Sequence, residues 1–301
     1  MTTAPRTDER ESVPCIFCGT SATELYATAK SLYDERRFTV VQCRQCELVF
    51  TSPRIANKAA EIEHHAPPAP SQFNECELRR HAAAAEVQLA RLERYIRPGR
   101  VLDFGCGDGT LVHQAGRRGW DGVGADIDRA LIQSANAHWN PKRDPDGDRL
   151  VCDNVDVLIR NYGPTFDAIV SKQVFEHLTN PLEFLVKLRS LLRPGGIVLV
   201  DVPSLWCLGE RMHKGSSLDP TAHLYYFTPP TMRTLFQRAG FDVLRCTGSP
   251  NMLGLYYRIC RPIGLADLAA KLARATDHIP LPQIGRGLCA IGRMRGAADA
   301  Q

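Results

Sequence analysis

The sequence has no run of apolar residues long enough to cross a bilayer, which takes about 20 residues as a helix. Its longest strand-like apolar stretch, residues 196–202, contains Asp201. The N-terminal residues are polar and lack the apolar segment of a secretory signal. With 44% hydrophobic and 23% charged residues among 301, the composition is typical of a chain that forms a core. We therefore predict a soluble, cytoplasmic protein with one large domain or two of ordinary size.

The sequence also has little net charge, +4 at pH 7. Proteins dedicated to nucleic acids usually concentrate their basic residues in one region. Residues 13–54 contain five basic and four acidic residues, a balance of only +1. Nucleic acid is therefore not expected as a partner. Residues 245–301 contain eight basic and three acidic residues, a balance of +5. An ordinary surface helix packed on the sheet is the first interpretation, and a cover over the acceptor pocket with arginines for an anionic substrate, or contact with a membrane surface, stays open.

Cysteine is frequent, with 11 residues, and four of them form two Cys-x-x-Cys pairs separated by 24 residues. Each such turn can present two thiolates to one metal ion, and four thiolates complete the tetrahedral shell that zinc prefers. No coordination position then remains for water, so the zinc is predicted to be structural. A redox pair and unrelated thiols are the alternatives, and neither explains two matched pairs. We predict a zinc ribbon at residues 13–52 with the ligands Cys15, Cys18, Cys43 and Cys46.

From residue 76 onward, short apolar runs alternate with amphipathic stretches, the pattern of a parallel sheet with helices on both faces. Strands are predicted at 100–104, 119–125, 150–153, 166–171, 196–202, 241–247 and 288–294. Helices are predicted at 81–96, about 109–118, 129–138, 180–192 and 230–239. The proline-rich segment 53–75 is predicted as a linker, because proline cannot continue a helix or a sheet. Residues from about 250 to 286 are predicted as a helical insertion.

The most informative segment is residues 101–110, where an apolar strand runs into the turn Asp103-x-Gly105-x-Gly107-x-Gly109. Glycines let the backbone approach a ligand closely, and the helix that follows points its N-terminal amides at that ligand. The dinucleotide-binding fingerprint would need a glycine at position 110, where the sequence has threonine. An acid two residues before the first glycine would repel a pyrophosphate, but it suits a cationic ligand.

This segment resembles the glycine-rich motif of class I S-adenosylmethionine-dependent methyltransferases, and the resemblance extends over residues 76–301. It implies an α/β fold with a seven-stranded Rossmann-like sheet and S-adenosylmethionine as the cofactor. Contacts to the methionine and ribose portions of that cofactor are implied for Asp103, Gly105, Gly107 and Gly109. Asp126, at the end of the second strand, would bind both ribose hydroxyls, with Asp128 as the second choice. Asp153, after the third strand, would accept a hydrogen bond from the adenine amine.

Three later segments fit the same resemblance. Residues 166–178 look like the fourth strand and the turn that follows it, and residues 192–196 look like the turn before the fifth strand. Residues 288–294 would be the antiparallel strand that is typical of this fold. The order of these landmarks along the chain makes the resemblance more specific than the glycine motif alone.

Two histidines are candidates for a general base, which a hydroxyl acceptor needs because a neutral hydroxyl is a poor nucleophile. His177 follows the fourth strand, at the carboxyl edge where open α/β sheets bind ligands. His223 precedes the helix predicted at 230–239, and a histidine recurs there in related methyltransferases. The alternative for each is a structural role in its own turn or loop. Glu176 and Tyr225 are weaker candidates.

A Cys-x-x-Cys ribbon in front of a methyltransferase resembles enzymes of sugar, glycan and natural-product tailoring. The resemblance implies O-methylation of a saccharide or of a glycosylated small molecule, with the ribbon shaping the substrate site. C-methylation of a nucleotide-linked keto-sugar and methylation of an RNA base stay open, as does a non-catalytic cofactor-binding protein. Residues 171–173, Ser-Lys-Gln, differ from the Asn-Pro-Pro-Tyr-like motif of methyltransferases that act on planar amines, which argues against that kind of RNA enzyme.

Overall fold

The structure, a computed structural model, describes residues 9–31, 34–56, 74–140, 149–206, 218–249 and 287–296. Its strands are β1 (Arg10–Glu11), β2 (Thr23–Lys30), β3 (Arg37–Cys43), β4 (Val49–Thr51), β5 (Arg54–Ile55), β6 (Arg100–Phe104), β7 (Asp121–Asp126), β8 (Leu150–Cys152), β9 (Phe166–Lys172), β10 (Leu192–Pro203), β11 (Tyr225–Tyr226), β12 (Phe241–Ser249) and β13 (Gly287–Met294). Its α-helices are α1 (Glu75–Leu92), α2 (Thr110–Arg117), α3 (Arg129–Trp139), α4 (Val155–Tyr162), α5 (Pro181–Arg189) and α6 (Pro229–Arg238).

The largest sheet has seven strands in the order β12-β13-β10-β9-β6-β7-β8. β6 pairs in parallel with β7 and β9, whereas β13 runs antiparallel to both of its neighbours. Because side chains alternate along a strand, Val198 and Val200 of β10 pack into one buried cluster, and Ile197 and Leu199 pack into another. The sheet is therefore covered on both faces. The predicted α/β fold and the antiparallel last strand are confirmed.

Two helices differ from those that the sequence predicts. α1 begins at Glu75, before the predicted start, because the Asn74 side chain accepts a hydrogen bond from Cys76 N at 2.8 Å and caps the helix. α4 is not predicted at all. Asn154 caps it in the same way, since its side chain accepts from the backbone N–H groups of the two residues after Val155.

A second sheet has four strands in the order β11-β4-β3-β2. β2, β3 and β4 come from the cysteine-rich N-terminal region, whereas β11 follows β10 in the chain. The two regions pair antiparallel, with Tyr225 opposite Phe50 and Tyr226 opposite Val49. Backbone hydrogen bonds therefore join the N-terminal region directly to the part of the chain that forms the large sheet.

The two sheets also share a hydrophobic core. Phe50 is 1% exposed, and its ring centroid lies 6.3 Å from that of Tyr225. One buried cluster contains Cys43 and Phe50 from the N-terminal region together with Phe104 and Phe227. The N-terminal region and the large sheet are thus packed against each other through apolar side chains as well as through strand pairing.

The segment predicted as a linker, 53–75, starts with β5, which pairs with β1, and ends with the first turn of α1. Its residues 57–73 lie outside the described part of the chain. The predicted insertion from about 250 to 286 lies outside the described residues as well. The boundaries of both segments therefore stay predictions. Among the described helices, none combines the length and the apolar character that crossing a membrane requires.

Replacing Phe50 by alanine should destabilise the whole molecule, because the cavity would open in the shared core. Truncation of a buried phenylalanine typically costs about 3–5 kcal/mol in free energy of unfolding. In calorimetry we expect a single transition at a lower temperature. Leu25→Ala is the control, since Leu25 is 63% exposed on the edge strand β2. Two transitions, of which Phe50→Ala moves only one, would contradict a shared core.

Candidate functional site

The glycine-rich turn connects β6 to α2 and adopts a conformation that requires glycine. Gly105, Gly107 and Gly109 have φ angles of +78°, +54° and +73°, values that side chains with a Cβ rarely tolerate. A Cβ on Gly105 would also overlap with Cγ2 of Val174. The N–H of Gly105 donates to the carbonyl of Ala125 at 2.8 Å, so the turn is fixed against the end of β7.

Asp126 is the last residue of β7, and its side chain is bonded to the same turn. Its carboxylate accepts hydrogen bonds from Gly107 N and from Asp128 N, both at 3.1 Å. Asp128 instead caps α3, since its side chain accepts from Leu131 N at 2.9 Å. Both acids thus accept backbone hydrogen bonds, Asp126 within the glycine-rich turn and Asp128 at the start of α3, and Asp126 as the cofactor-binding acid stays a prediction. Ile127 lies between them and is 69% exposed, so it offers an apolar surface next to Asp126.

A cavity of about 410 Å³ lies beside the turn, at the carboxyl end of the parallel strands. Three of the predicted cofactor residues, Asp103, Gly105 and Gly107, line it. Gly109, the N-cap of α2, and Asp126, which bonds to Gly107, are not among the residues that line this cavity, and Gly109 lines a second cavity instead. Asp153 is half-buried, and it is not among the residues that line this cavity.

Asp103 is a buried acid, 5% exposed. Burial raises the pKa of its carboxyl to about 7, the nearby Lys172 ammonium opposes that rise, and the charges of Asp108 and Asp126 add to it. Lys172 lines the cavity together with Asp103. The cavity therefore places a carboxyl and an ammonium near each other, which is the pair of charges needed to bind the two ends of an amino acid.

Sequence reasoning missed several residues of this cavity. One wall is the helix α1, from which His81 forms a 2.6 Å contact to Asp108 in the glycine-rich turn. Gln88 of the same helix is 4% exposed and lines the cavity too. The amphipathic pattern of α1 indicated a helix, but no signal in the sequence told which element its polar residues would face. Lys172 directly follows the strand predicted at 166–171, in the Ser-Lys-Gln segment that differs from the planar-amine motif, and nothing in that segment marks it as a cavity residue.

The two candidate histidines lie together. Their ring centroids are 4.9 Å apart, and His177 Nδ1 lies 2.9 Å from the carbonyl oxygen of Ala222. This contact assigns the ring proton to Nδ1 when His177 is neutral and leaves Nε2 as an acceptor. Nε2 lies 3.8 Å from Oε1 of Glu176. The structure therefore brings His177, His223 and Glu176 into one cluster.

Glu176 is the buried member of that cluster, at 1% exposure. Neither of its carboxylate oxygens has a hydrogen-bond partner among the described residues. Burial raises the pKa of its carboxyl to about 8, and the nearby charge of Asp201 adds to the rise. The ligand atoms of Glu176, His177 and His223 all lie within 4.8 Å of one another, close enough to hold one cation together.

Tyr225, the other weak candidate for the base, has a structural contact instead. Its hydroxyl donates to the carbonyl oxygen of Thr179 at 3.1 Å. Burial raises the pKa of this phenol to about 12, so it holds its proton firmly at neutral pH. This environment suits a residue that anchors β11 rather than one that removes a proton from a substrate.

The cluster and the cavity adjoin through the chain that leaves β9. Lys172 and Gln173 line the cavity. The next residue, Val174, packs against Gly105 of the glycine-rich turn. Glu176 follows it within one turn of the chain. Both groups of residues therefore lie at the carboxyl edge of the sheet, where open α/β folds bind their ligands.

The four cysteines predicted to bind zinc also converge. The sulfur atoms of Cys15 and Cys46 are 3.3 Å apart, those of Cys18 and Cys43 are 3.5 Å apart, and those of Cys18 and Cys46 are 3.9 Å apart. Four sulfurs around one zinc ion at about 2.3 Å lie roughly 3.8 Å from one another. None of the four forms a disulfide. Their arrangement fits a tetrahedral metal site.

Comparison with known proteins shows the family to which this chain belongs. A family described as a methyltransferase domain matches residues 77–245. A ubiquinone biosynthesis O-methyltransferase of Parvibaculum lavamentivorans is 35% identical over 111 residues, which cover 37% of this chain and 43% of that protein. The human mitochondrial ubiquinone biosynthesis O-methyltransferase is 32% identical over 159 residues, which cover 50% of this chain and 43% of that protein. The matches thus span less than half the length of these two relatives.

Solved structures support the fold. A Haemonchus contortus N-methyltransferase in complex with phosphomonomethylethanolamine and S-adenosylhomocysteine has a TM-score of 0.51 at 16% identity, covering 91% of this chain and 69% of that one. The plantazolicin methyltransferase BamL, in complex with S-adenosylhomocysteine, has a TM-score of 0.50 at 17% identity, covering 79% of this chain and 89% of that one. At these identities the likeness concerns the fold alone.

Asp126→Asn should weaken the binding of S-adenosylhomocysteine, because a neutral amide oxygen accepts hydrogen bonds from ribose hydroxyls more weakly than a charged carboxylate does. Loss of such a charged hydrogen bond corresponds to an affinity about 10- to 100-fold lower, which isothermal titration calorimetry would measure. Asp121→Asn is the control at the other end of β7, where Asp121 makes surface ion pairs with Arg100 and Arg149. Equal affinities for the two variants, both folded, would remove Asp126 from the binding site.

Proposed function

Because the chain belongs to the methyltransferase-domain family of S-adenosylmethionine-dependent methyltransferases, we propose that it transfers the methyl group to a hydroxyl oxygen of a small molecule. The observation that carries this proposal is the cluster of Glu176, His177 and His223 next to the cofactor cavity. Such a cluster can accept the proton that a hydroxyl must lose. The names of the two relatives, both O-methyltransferases, support the same atom as acceptor.

The residues around the glycine-rich turn fit S-adenosylmethionine. A Cβ on Gly107, which lines the cavity, would meet no protein atom within 4 Å, so the backbone there is open to the close approach of a ligand. Asp103 and Lys172 would bind the ammonium and carboxylate of the methionine portion, and Asp126 would bind the ribose. When bound, the cofactor supplies a methyl group activated by a sulfonium. Asp153 stays our candidate for the adenine amine.

The histidine cluster would do the proton chemistry. We assign the general base to His223, with His177 beside it and Glu176 behind them. A proton taken up by His223 would make an imidazolium, and the buried Glu176, whose carboxyl ionises more readily beside a positive charge, is placed to stabilise it. The contact from His177 Nδ1 to Ala222 keeps the Nε2 side of His177 turned to Glu176. Proton removal by a well-placed base contributes about 10²–10⁴-fold to a rate.

For the methyl acceptor we propose a chemical class and not an individual compound. A saccharide or a glycosylated small molecule is what the ribbon suggests, but the names of the relatives refer to ubiquinone biosynthesis and give that acceptor no support. We therefore propose a hydroxyl of a small molecule and leave its scaffold to the assay. C-methylation of a keto-sugar and methylation of an RNA base would appear in the same assay as a labelled product of another class.

We also propose that Cys15, Cys18, Cys43 and Cys46 hold one structural zinc ion. The sulfur distances of 3.3–3.9 Å support this assignment. Four thiolates fill a tetrahedral shell and leave no position for a substrate or for water. The zinc would therefore stabilise the N-terminal sheet and take no part in methyl transfer.

His223→Gln should lower the rate of methyl transfer about 10²–10⁴-fold, because glutamine cannot take up the proton. The assay follows label from S-adenosylmethionine into the small-molecule fraction of a cell extract, with S-adenosylhomocysteine affinity measured in parallel. That affinity should stay within about twofold, since His223 lies outside the glycine-rich turn. His138→Gln, an exposed histidine on α3, is the control. A His223→Gln protein that transfers label at the full rate would rule out His223 as the base.

Cys43→Ser should abolish the metal site, because serine is a poor zinc ligand. Elemental analysis should find one zinc ion per chain in the unaltered protein and none bound stably in the variant, which should also unfold at a lower temperature. Cys76→Ser on α1 is the control, since Cys76 lies outside the cluster. Equal zinc content in the two variants would be incompatible with the proposed site.

A further inference from the structure

Thr51 lies where the N-terminal sheet meets the segment that carries His223. It ends β4 and is 1% exposed. Its backbone N–H donates to the carbonyl of Leu224 at 2.9 Å, and its side-chain hydroxyl donates to the carbonyl of His223 at 3.1 Å. Thr51 and His223 are 172 positions apart in the sequence, so only the fold brings them together.

The other side of this segment is held by the chain that follows β9. The carbonyl of Ala222 lies 2.9 Å from His177 Nδ1, and the N–H of Leu224 donates to the carbonyl of Glu176 at 2.7 Å. The N–H of His223 donates to the carbonyl of Asp219 at 2.7 Å. The segment is thus clamped between β4 on one side and the Glu176–His177 turn on the other.

Every backbone polar group from the carbonyl of Ala222 to that of Leu224 therefore has a partner, as a buried segment requires. Among these contacts, the hydroxyl of Thr51 is the single side chain from the N-terminal region that bonds to the His223 peptide. It bonds to the same peptide group whose N–H, that of Leu224, donates to the carbonyl of Glu176, so β4 and the Glu176–His177 turn hold this peptide plane from two sides.

We propose that Thr51 positions His223, so that the N-terminal sheet contributes a positioning residue to the acceptor site. The inference rests on the proposed function in one respect, namely that His223 takes up the acceptor's proton. Displacement of a reacting group by about 1 Å can lower a rate 10²-fold, so one hydrogen bond on this peptide can matter for the chemistry without contacting the substrate.

The test is Thr51→Val, which keeps the shape and the backbone N–H but removes the hydroxyl. We expect the rate of methyl transfer to fall about 10- to 100-fold, while the affinity for S-adenosylhomocysteine and the KM for the acceptor stay within about twofold. Thr51→Ser restores a hydroxyl at the same place and should recover most of the rate. Thr39→Val makes the same substitution on the neighbouring strand β3 and is the matched control.

A second readout does not depend on activity. With histidine labelled by ¹⁵N, the imidazole signal of His223 is identified by its loss in His223→Gln. Thr51→Val should shift this signal, whereas Thr51→Ser and Thr39→Val should leave it close to its original position. A folded Thr51→Val protein with an unshifted signal and the full rate would overturn the inference, provided that His223→Gln is inactive.

The two proposals fail in different ways. If His223→Gln transfers methyl groups at the full rate while Thr51→Val shifts the His223 signal, the proposed base is wrong and the hold of Thr51 on His223 is supported. If Thr51→Val and Thr51→Ser are equally slow, the hydroxyl does not position His223, and the inference is wrong whatever the role of the histidine.

Discussion

Leu224, next to His223, is buried, and a buried backbone must pair its N–H and carbonyl groups. In this protein the partners come from two elements that are far from it in the sequence, the strand β4 and the turn at Glu176. The pairing of β4 with β11 therefore has consequences well beyond one sheet edge. It places the cysteine-rich region against the large sheet, it closes a common core around Phe50 and Tyr225, and it fixes the peptide that carries a proposed catalytic side chain.

The second constraint is the cost of burying carboxyl groups. Asp103 and Glu176 are both almost fully buried, and burial raises the pKa of each to a value near neutrality. A buried acid of this kind is stabilised by a proton or by a positive partner. For Asp103 the partner we propose is the ammonium of the cofactor, and for Glu176 it is the charged form of a histidine. Asp103 lies next to the end of β6, and Glu176 lies in the turn that follows the end of β9, so parallel pairing of these strands brings the two halves of the site to one edge.

Much of the cofactor side could be predicted from the sequence, because its signals are local. The glycines of the turn stand in one short segment, and a strand before them and a helix after them show in the periodicity. The acceptor side depends on contacts between distant segments. Nothing near Tyr225 indicates that it pairs with β4, and nothing near Thr51 indicates that its hydroxyl meets the His223 peptide. α4 escaped prediction because it has only eight residues between two strands, and Lys172 escaped because a lone cation directly after a predicted strand looks like an ordinary surface residue.

The most direct test of the account is to identify the atom that receives the methyl group. S-adenosylmethionine with a ¹³C-labelled methyl group would be incubated with the protein and a whole cell extract, which is then separated into small-molecule and RNA fractions, and the labelled product examined by carbon NMR. The account predicts one new signal in the range of methyl groups bound to oxygen, absent when the protein is omitted. A signal in the range of methyl groups bound to carbon or nitrogen, or label recovered only in RNA, would contradict it.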